Sequence, residues 1–561
     1  MTTRISSVEI RASKIEELGI QGKSRRAIAE ILGCSEDQAR YALKRLRAGL
    51  QEEPKADAEK PAKAEKPKPV RISSIPELEV DLQPDRVNRF ILTAAQDDTP
   101  VFKPFFDNLL AYATDIGATV HVAGFTYQKG LFEDHAAATA VFASEVRDYL
   151  VYDRVRLSDS MMFVADANVL PTTARPLTGW TTVNGGQHVV IPHARIALQS
   201  IPRPMSAPPR FAVSTGCCTL PSYAPRAAGR KSIARHTYAA LLVEIDTDGE
   251  IFFRHLVGNK DDGSFQDLDV FVYHGHVLRG ATVSTIVWGD IHYEMLDPVV
   301  ARTAFGFCVE QKRTVSLDSI YERLRPEFCF YHDTLDFRRR NHHNIADPHL
   351  MAEVYASGRE NVEDEVRDAA NFINCMRRDW CVSVMVESNH DSAICRWAKD
   401  NRGQMDPANS YYWHELNAAW HGAIRRKDIN FNLVEYAMRA VGLADDIEFI
   451  ASGSSFVVRD VEYGYHGDYG VGGARGTPRQ FTRVGRMMVT DHTHAPGIDD
   501  LVYTGGLSSK TDQGYNRKGL TTWAWAHVIG YHNATRIILM QSADGRYRAV
   551  GDMAEEEKLA A

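Results

Sequence analysis

Apolar and polar residues follow one another along the second half of the chain in a pattern that predicts buried strands ending in polar turns. The segment from Thr282 to Val287 (TVSTIV) is apolar and β-branched, which is typical of a buried strand. Gly289 breaks this strand, and Asp290 and His292 come directly after it. Open α/β sheets place their chemistry at the carboxyl ends of such strands. An aspartate oxygen and an imidazole nitrogen at that position are suitable ligands for a divalent metal ion.

Four further segments repeat this combination of an apolar run and a polar turn. In chain order they are His332-Asp333-Thr334-Leu335-Asp336, Ser388-Asn389-His390-Asp391, His466, and Asp491-His492-Thr493-His494. Each segment alone is weak evidence, because short motifs recur by chance. The five segments together predict one site built from several strand ends.

Residues 1–50 have the pattern of a small helix-turn-helix-like unit. Ser24 is a suitable N-cap for a helix that Gly33 ends, and Ser35 is a suitable start for a second helix. The second helix carries Arg40 and Lys44, which suit contact with DNA phosphates. A helical hairpin with a solvated basic face, or one that binds another protein, fits the same pattern.

The composition changes after this unit. Residues 51–75 consist mostly of Pro, Ala, Lys and Glu and predict a flexible linker. Residues 76–280 alternate strands with a helix, as in FILTAAQ, VFKPFFDNLLAYATDIG and ATVHVAGFTY, and predict an α/β domain of unknown role. The pair His274-Gly275-His276 is interpreted as a loop. Residues 546–561 predict an acidic tail that frays.

Overall composition limits the functional classes. The net charge of −8 excludes a generally basic nucleic-acid-binding protein, so any contact with nucleic acid must come from local patches. The eight cysteines are scattered without a Cys-x-x-Cys pair, which indicates reduced thiols in a cytosolic protein. The chain starts without a signal-peptide pattern, and no apolar run reaches the roughly 18 residues of a membrane helix. We therefore expect no membrane contact.

The five segments resemble the signature of the calcineurin-like metallophosphoesterase superfamily: Asp-x-His, Gly-Asp-x-x-Asp, Gly-Asn-His-Asp/Glu, His, and Gly-His-x-His. All five blocks occur in this order over residues 288–494. The chain departs from the signature at His332, Ser388 and Asp491, each of which replaces a turn glycine. The resemblance implies an α/β fold in which residues 281–545 form a β-sandwich flanked by helices.

The resemblance also implies a site for two divalent metal ions, with Mn²⁺ as the expected ion and Mg²⁺ as the alternative. Asp290, His292 and His494 would hold the first ion, and Asp333 would bridge both. The ligands of the second ion would be Asn389, His466 and His492.

Two further residues receive catalytic roles from the resemblance. His390 would give a proton to the departing oxygen or stabilise it electrostatically, and Asp391 would orient this imidazole. Asp336 is expected to support the ligands from outside the cluster. Alternatively, Asp336 replaces Asp333 as the bridging ligand.

The substrate prediction rests on the cationic loop Arg338-Arg339-Arg340 beside the expected metal ions, which suits a DNA backbone. The segments Tyr331 to Pro348 and Asp491 to Gly497 are also similar to the early-expressed DNA-degrading nucleases of large tailed bacteriophages. That similarity implies cleavage of host DNA in the cytoplasm of the infected cell by a homo-oligomer.

Two alternatives belong to other functional classes. A small-molecule or protein phosphoesterase would use the arginines to recognise a single phosphate. A DNA-binding regulator with a degenerate phosphoesterase domain is disfavoured, because no ligand block is missing. The residue pattern does not distinguish endonucleolytic from exonucleolytic cleavage.

Overall fold

The computed structural model describes residues 12–17, 19–20, 22–47, 77–128, 140–182, 185–342 and 344–551. The predicted linker, residues 51–75, and the end of the predicted tail, residues 552–561, lie outside this description. The chain divides into two compact units, residues 1–71 and residues 72–561.

The first unit is a small helical bundle. Its described helices are α1 (Ala12–Glu17), α2 (Arg25–Leu32) and α3 (Glu36–Arg47). The Ser24 hydroxyl accepts a hydrogen bond from the backbone N–H of Ala27 at 3.3 Å, and Gly33 ends α2 with a left-handed φ of 61°. Both caps are as the sequence predicts. Helix α1 is an addition to the two predicted helices and contributes Ile15 to the small core.

The second unit is a mixed α/β structure, which confirms the predicted class. Its described helices are α4 (Lys103–Ile116), α5 (Ala227–Ile233), α6 (Pro298–Phe305), α7 (Ile320–Leu324), α8 (Pro348–Ala356), α9 (Val362–Cys375), α10 (Ala393–Ala398), α11 (Ser410–Arg426), α12 (Leu433–Ala440) and α13 (Pro478–Phe481). Its strands in the first half are β1 (Glu77–Glu79), β2 (Asn88–Gln96), β3 (Thr119–Phe125), β4 (Leu150–Val151), β5 (Arg154–Ser158), β6 (Met161–Phe163), β7 (His188–Ile191), β8 (Leu198–Ser200), β9 (Phe211–Ser214), β10 (Ala239–Ile245), β11 (Ile251–Val257), β12 (Phe265–Asp267), β13 (Val270–Tyr273) and β14 (His276–Arg279). Those in the second half are β15 (Thr285–Val287), β16 (Phe307–Cys308), β17 (Arg313–Thr314), β18 (Phe328–Tyr331), β19 (Val382–Val386), β20 (Glu448–Ile450), β21 (Val457–Val458), β22 (Val461–Glu462), β23 (Met487–Thr490), β24 (Gly497–Asp499), β25 (Val502–Thr504), β26 (Ala526–Gly530) and β27 (Arg536–Met540).

Several predicted elements of the first half are confirmed. Strands β2 and β3 pair in parallel, with α4 connecting them. Strands β10 and β11 form the hairpin that the Thr-Asp-Gly turn predicts, with Ile245 opposite Ile251. His274 lies in the turn between β13 and β14, as predicted, whereas His276 is the first residue of β14, so the loop prediction is wrong for the second histidine.

A six-stranded sheet of described strands carries the predicted strand ends. Its order is β20-β19-β18-β15-β26-β27, and the first four strands are parallel while β26 is antiparallel to β15. Alternate residues of a strand point to opposite faces of its sheet. Ile286 and Met385 accordingly pack against the helices, whereas Val287, Phe330 and Val384 pack against the other sheets. The sheet is therefore covered on both faces.

An eleven-stranded sheet in the described part of the chain joins the two halves of the second unit. Its order is β1-β5-β6-β7-β9-β8-β24-β25-β23-β22-β21. Strands β8 and β24 pair antiparallel, with Leu198 opposite Ile498. Backbone hydrogen bonding thus continues across the predicted domain boundary at residue 280, and that boundary stays a prediction.

Two simpler expectations concern the whole chain. All eight cysteines are free thiols, so the structure contains no disulfide among them. Among the described residues, no helix has both the length and the apolar character needed to cross a bilayer.

Gly289 gives the first testable prediction, because the backbone after β15 passes very close to neighbouring chain. A Cβ at Gly289 would lie 2.6 Å from the carbonyl oxygen of Ala526 and 2.8 Å from the carbonyl carbon of Leu507. Backbone atoms cannot move aside as a flexible side chain can. We therefore expect Gly289→Ala to lower the free energy of unfolding by about 1–3 kcal/mol. Urea denaturation followed by tryptophan fluorescence measures this change.

The matched control is Gly519→Ala. Gly519 is exposed, and an added Cβ would meet no atom within 4 Å. Its unfolding free energy should stay within about 0.5 kcal/mol of the wild-type value. Equal urea midpoints for the two variants would contradict the close approach at Gly289.

Candidate metal centre

The polar segments after five strands meet at one place. Strands β15, β18 and β19 are parallel neighbours, so their carboxyl ends lie at the same edge of the six-stranded sheet. Strands β22 and β23 are parallel neighbours in the eleven-stranded sheet and end beside that edge. The residues that follow these strands include every metal ligand that the sequence predicts: Asp290, His292, Asp333, Asn389, His466, His492 and His494.

Asp290 and two imidazoles form one side of the cluster. The Nε2 atom of His494 lies 3.1 Å from Asp290 Oδ2 and 3.1 Å from His292 Nε2. Two imidazole nitrogens this close to one another and to a carboxylate oxygen converge on a common point. Asp290 and His292 are completely buried, and His494 is 5% exposed.

Asp333 and His466 connect this side of the cluster with the other predicted ligands. Asp333 Oδ2 lies 3.2 Å from His466 Nε2 and 3.7 Å from His292 Nε2. Asn389 Oδ1 lies 3.0 Å from His466 Nε2 and 3.0 Å from His492 Nδ1. Asp333 therefore has neighbours from both predicted ligand sets, which is the position that a bridging carboxylate needs.

The unpaired atoms of the cluster fit a cation. One ligand atom from each of Asp290, His292, Asp333 and His494 lies within 4.8 Å of the others. Asp290 Oδ1, Asp333 Oδ2 and His466 Nδ1 are buried without a hydrogen-bond partner among the described residues. Since buried polar atoms are rarely left unpaired, these oxygens and nitrogens are suited to a divalent metal ion. The cluster can hold such an ion.

Four of the predicted ligands have a strained backbone. His292, Asp333, His492 and His494 have φ values of 40°, 43°, 72° and 56°. These are left-handed conformations that non-glycine residues avoid, at a cost of about 1–3 kcal/mol each. Such strain persists where the surrounding packing fixes the backbone, so the loops that carry these predicted ligands are held in place by their neighbours.

The buried acids change the protonation of their neighbours. Burial opposes the charge of His390, but Asp333 and Asp336 outweigh it and raise its pKa to about 10. His466 is likewise opposed by burial, and Asp333 raises its pKa to about 9. Burial and the neighbouring His466 lower the pKa of His492 to about 4. A bound dication would favour the neutral imidazoles that coordinate metals.

The structure corrects the role predicted for Asp391. The His390 imidazole contacts Asp336 instead, with Nδ1 3.1 Å from Asp336 Oδ1. The Asp391 carboxylate accepts hydrogen bonds from the backbone N–H groups of Leu335, at 2.8 Å, and Ser388, at 3.0 Å. Asp391 therefore connects two strand-end loops, and Asp336 orients the imidazole.

Asp336 also lies beside a predicted ligand, as the sequence expects. Its Oδ1 atom is 3.3 Å from His292 Nδ1, the ring nitrogen on the other side from the Nε2 atom that faces Asp333 and His494. Carboxylates in this position fix the orientation of metal-binding imidazoles. Asp333, and not Asp336, shares the four-residue group with Asp290 and His494.

The cationic loop contributes less to the site than the sequence predicts. Arg339 is 4% exposed and pairs with Glu294 at 2.6 Å, and Arg340 pairs with Asp406 at 2.5 Å. Because both guanidinium groups already bind carboxylates inside the protein, the structure gives no support to the predicted DNA contacts of these two arginines. Arg338 makes no ion pair with any described residue and donates to the Gln513 carbonyl at 3.3 Å.

The replaced turn glycines have structural explanations. Ser388 Oγ accepts a hydrogen bond from the Asp333 N–H at 2.8 Å and donates to the Val386 carbonyl at 2.9 Å, so it supports the turn. The other two replacements, His332 and Asp491, are buried side by side, with Nε2 and Oδ2 3.7 Å apart. None of the three residues has a positive φ, so none occupies a backbone conformation that requires glycine.

Sequence reasoning missed three residues at the rim. The Trp523 ring centroid lies 4.4 Å from that of His494, and the exposed Tyr515 ring lies 5.9 Å from Trp523. Arg396 donates to the Asn389 carbonyl at 2.8 Å. No short motif contains these residues: Tyr515 and Trp523 lie in a later loop, and Arg396 lies in α10, one segment after Asn389.

A metal-binding prediction follows from the ligand cluster. Adding Mn²⁺ at about 100 times its Kd should stabilise the wild-type protein by about 2.7 kcal/mol, since the ion binds the folded state alone. Asp290→Asn should lose most of this stabilisation. Thermal unfolding with Mn²⁺ and with EDTA measures the shift, and Asp445→Asn, at an exposed position, is the control. An unchanged Mn²⁺ shift in Asp290→Asn would contradict the ligand assignment.

Comparison with known proteins gives one informative match. No protein-family model matches the chain, and no solved structure matches it. Protein A1 of Escherichia phage T5 is 37% identical to the chain over 466 residues, which cover 80% of this chain and 81% of that protein. Identity of this extent includes most of the second unit. The chain therefore belongs to the family of phage T5 Protein A1.

Proposed function

We propose that the chain is a metal-dependent deoxyribonuclease of the metallophosphoesterase type, encoded by a phage and acting on host DNA in the infected cell. The observation that carries this proposal is the convergence of Asp290, His292, Asp333 and His494 with Asn389, His466 and His492. These residues come from five separate strand ends in the order of the superfamily signature. Seven residues from five separate strand ends would not be expected to meet at one point by chance.

The proposed chemistry divides the site into holding and reacting groups. The seven ligands would hold two divalent ions, with Mn²⁺ as the proposed species, and these would supply Lewis acidity at the phosphate. His390 carries the proton for the departing oxygen. Its Nδ1 lies within 3.3 Å of two Asp336 oxygens, so Nδ1 keeps its own proton and Nε2 exchanges one with the substrate. The side chain is 20% exposed and accessible to a phosphate ester.

DNA is the proposed substrate for three reasons. Arg338 makes no ion pair with a described residue, and it follows Asp336 by two residues in a loop that contacts the metal centre. Arg40 and Lys44 are exposed on α3, where they are available to DNA phosphates. The family relative is a phage protein. We propose these three cations as the DNA contacts, and we expect the active form to be a homo-oligomer.

One observation favours the alternative of a small-molecule or protein phosphoesterase. Arg339 and Arg340 are bound to internal carboxylates, so the cationic loop presents fewer free charges than its sequence suggests. A single arginine beside the centre is sufficient for one phosphate group. The two functions differ in whether a long DNA strand improves catalysis.

The central prediction concerns DNA digestion. Wild-type protein should cut linear duplex DNA with Mn²⁺ and leave it intact with EDTA. His390→Ala should reduce the rate about 10²–10⁴-fold, because proton transfer by a positioned side chain contributes that much. Asp290→Ala should abolish cleavage. The control variant His532→Ala changes an exposed histidine that is not a predicted ligand, and it should cut DNA at the wild-type rate.

Two results give further information. Cleavage of closed circular DNA would show endonucleolytic activity. The wild-type protein could instead leave DNA intact and hydrolyse bis(4-nitrophenyl) phosphate, with no hydrolysis by His390→Ala. That result would support the metal centre and replace the nuclease function with the phosphoesterase alternative.

Arg338 provides a test of substrate class. Arg338→Ala should lower kcat/KM for DNA about 10–100-fold, as expected for one hydrogen bond to a charged group. It should leave hydrolysis of bis(4-nitrophenyl) phosphate within about twofold and reduce the salt dependence of DNA binding by about one unit. Arg517, which pairs with Asp512 at 2.9 Å, provides the control variant Arg517→Ala. Equal losses on both substrates would contradict a DNA contact.

A further inference from the structure

A cavity of about 760 Å³ lies beside the metal centre and contains none of its predicted ligands. Strands β8 and β24, which pair across the eleven-stranded sheet, form part of its wall. Thr493, between His492 and His494, also lines it, so one end of the cavity borders the metal centre. Cavities of this size are typical of sites for small organic ligands.

The lining of the cavity carries more positive than negative charge. Its three carboxylates are Asp261, Asp499 and Asp500. Its cations number six: Arg175, Arg195, Arg235, Lys260, Arg479 and Arg536. Arg235 and Asp500 neutralise each other, because their side chains lie 2.5 Å apart. The remaining excess favours an anionic ligand.

Two of these arginines are withdrawn from water, and neither makes an ion pair with a described residue, although Asp500, which Arg235 binds, also acts electrostatically on Arg195. Arg536 is 5% exposed, donates to the carbonyls of Met488 and Leu501 at 3.1 and 3.0 Å, and makes no ion pair with a described residue. Arg195 is half-buried, and its guanidinium donates to the Ser232 hydroxyl at 3.5 Å. Burial lowers the pKa of both guanidinium groups. A ligand phosphate would offset this unfavourable burial of charge.

The rest of the lining suits a flat apolar group. Ile196, Leu198, Pro496 and Ile498 line the same cavity, as does Tyr503, whose ring carries the Arg536 guanidinium 4.5 Å from its centre. Aliphatic and aromatic side chains of this kind pack against the faces of nucleobases. The cavity therefore combines a wall for a base with guanidinium groups for a phosphate.

We propose that this cavity binds a nucleoside monophosphate, as the terminal nucleotide of a cut strand or as the released product. The choice of nucleotide, among phosphate-bearing ligands, rests on the proposed nuclease function, since hydrolysis at the metal centre would release such a group beside Thr493. The existence of the pocket does not rest on that function. The charged and apolar side chains of the pocket would bind the ligand without a metal ion.

Isothermal titration of the full chain with deoxyadenosine 5′-monophosphate tests the proposal, with EDTA present so that metal binding does not contribute. Binding should be detectable at millimolar or lower concentration, and deoxyadenosine and inorganic phosphate should each bind at least about tenfold more weakly. Arg195→Ala should weaken nucleotide binding about tenfold or more, as for one lost hydrogen bond to a charged group. Arg195→Gln should retain part of the affinity. Arg426→Ala, at an exposed residue outside the cavity, should bind as the wild type does.

Each contrary result has a definite meaning. Absence of nucleotide binding, or equal affinity in Arg195→Ala and wild type, overturns the proposal. Equal affinity for inorganic phosphate and nucleotide overturns the nucleotide assignment. The Mn²⁺ stabilisation of Arg195→Ala shows that the variant is folded. Nucleotide binding in a protein that fails to cut DNA would overturn the proposed nuclease and leave the pocket in place, whereas DNA cleavage without nucleotide binding would overturn the pocket alone.

Discussion

Two carboxylates, Asp290 and Asp333, are buried at the junction of two sheets, and the surrounding structure depends on compensating their charge. A buried carboxylate without a partner costs several kcal/mol, so positive or polar groups must lie close to it. His466 serves both acids, with Nδ1 3.8 Å from Asp290 Oδ1 and Nε2 3.2 Å from Asp333 Oδ2. Because the acids come from one sheet and His466 from the other, the same contacts that suit a metal ion also connect the sheets.

The backbone around these acids is fixed by close packing. The strained φ values of His292, Asp333 and His494 need neighbours that prevent relaxation. Gly289 permits the Asp290 segment to lie against residues 506 and 507, and the Asp290 N–H donates to the Gly506 carbonyl at 3.0 Å. Gly505 similarly leaves room for the Asp491 carboxylate, since a Cβ there would overlap Asp491 Oδ1. The ligand geometry is therefore set mainly by backbone contacts.

The sequence was sufficient to predict the strands and the ligand segments, because apolar runs followed by polar turns are local features. It did not determine which carboxylate orients His390. Asp391 is adjacent in sequence, but its side chain turns toward the N–H groups of Leu335 and Ser388, while Asp336 arrives from a different strand end. The sequence could not show that Arg339 has an internal partner for a related reason. Its partner Glu294 is 45 residues away, and only the folded chain brings the two side chains together. Local sequence patterns therefore identify the reactive side chains, whereas contacts between distant loops determine which partner each side chain has.

The region from residue 76 to 280 has a structural connection to the metal centre that its sequence does not reveal. Strand β24 follows directly on the loop of His492 and His494, and β8 covers its edge through the pairing of Leu198 with Ile498. Without β8, that edge would be left with unpaired backbone groups. Ser200 strengthens the junction by donating to the Pro496 carbonyl at 2.7 Å. The first half of the second unit therefore supports the loop that carries two of the predicted metal ligands, and a separately expressed second half would lack that support.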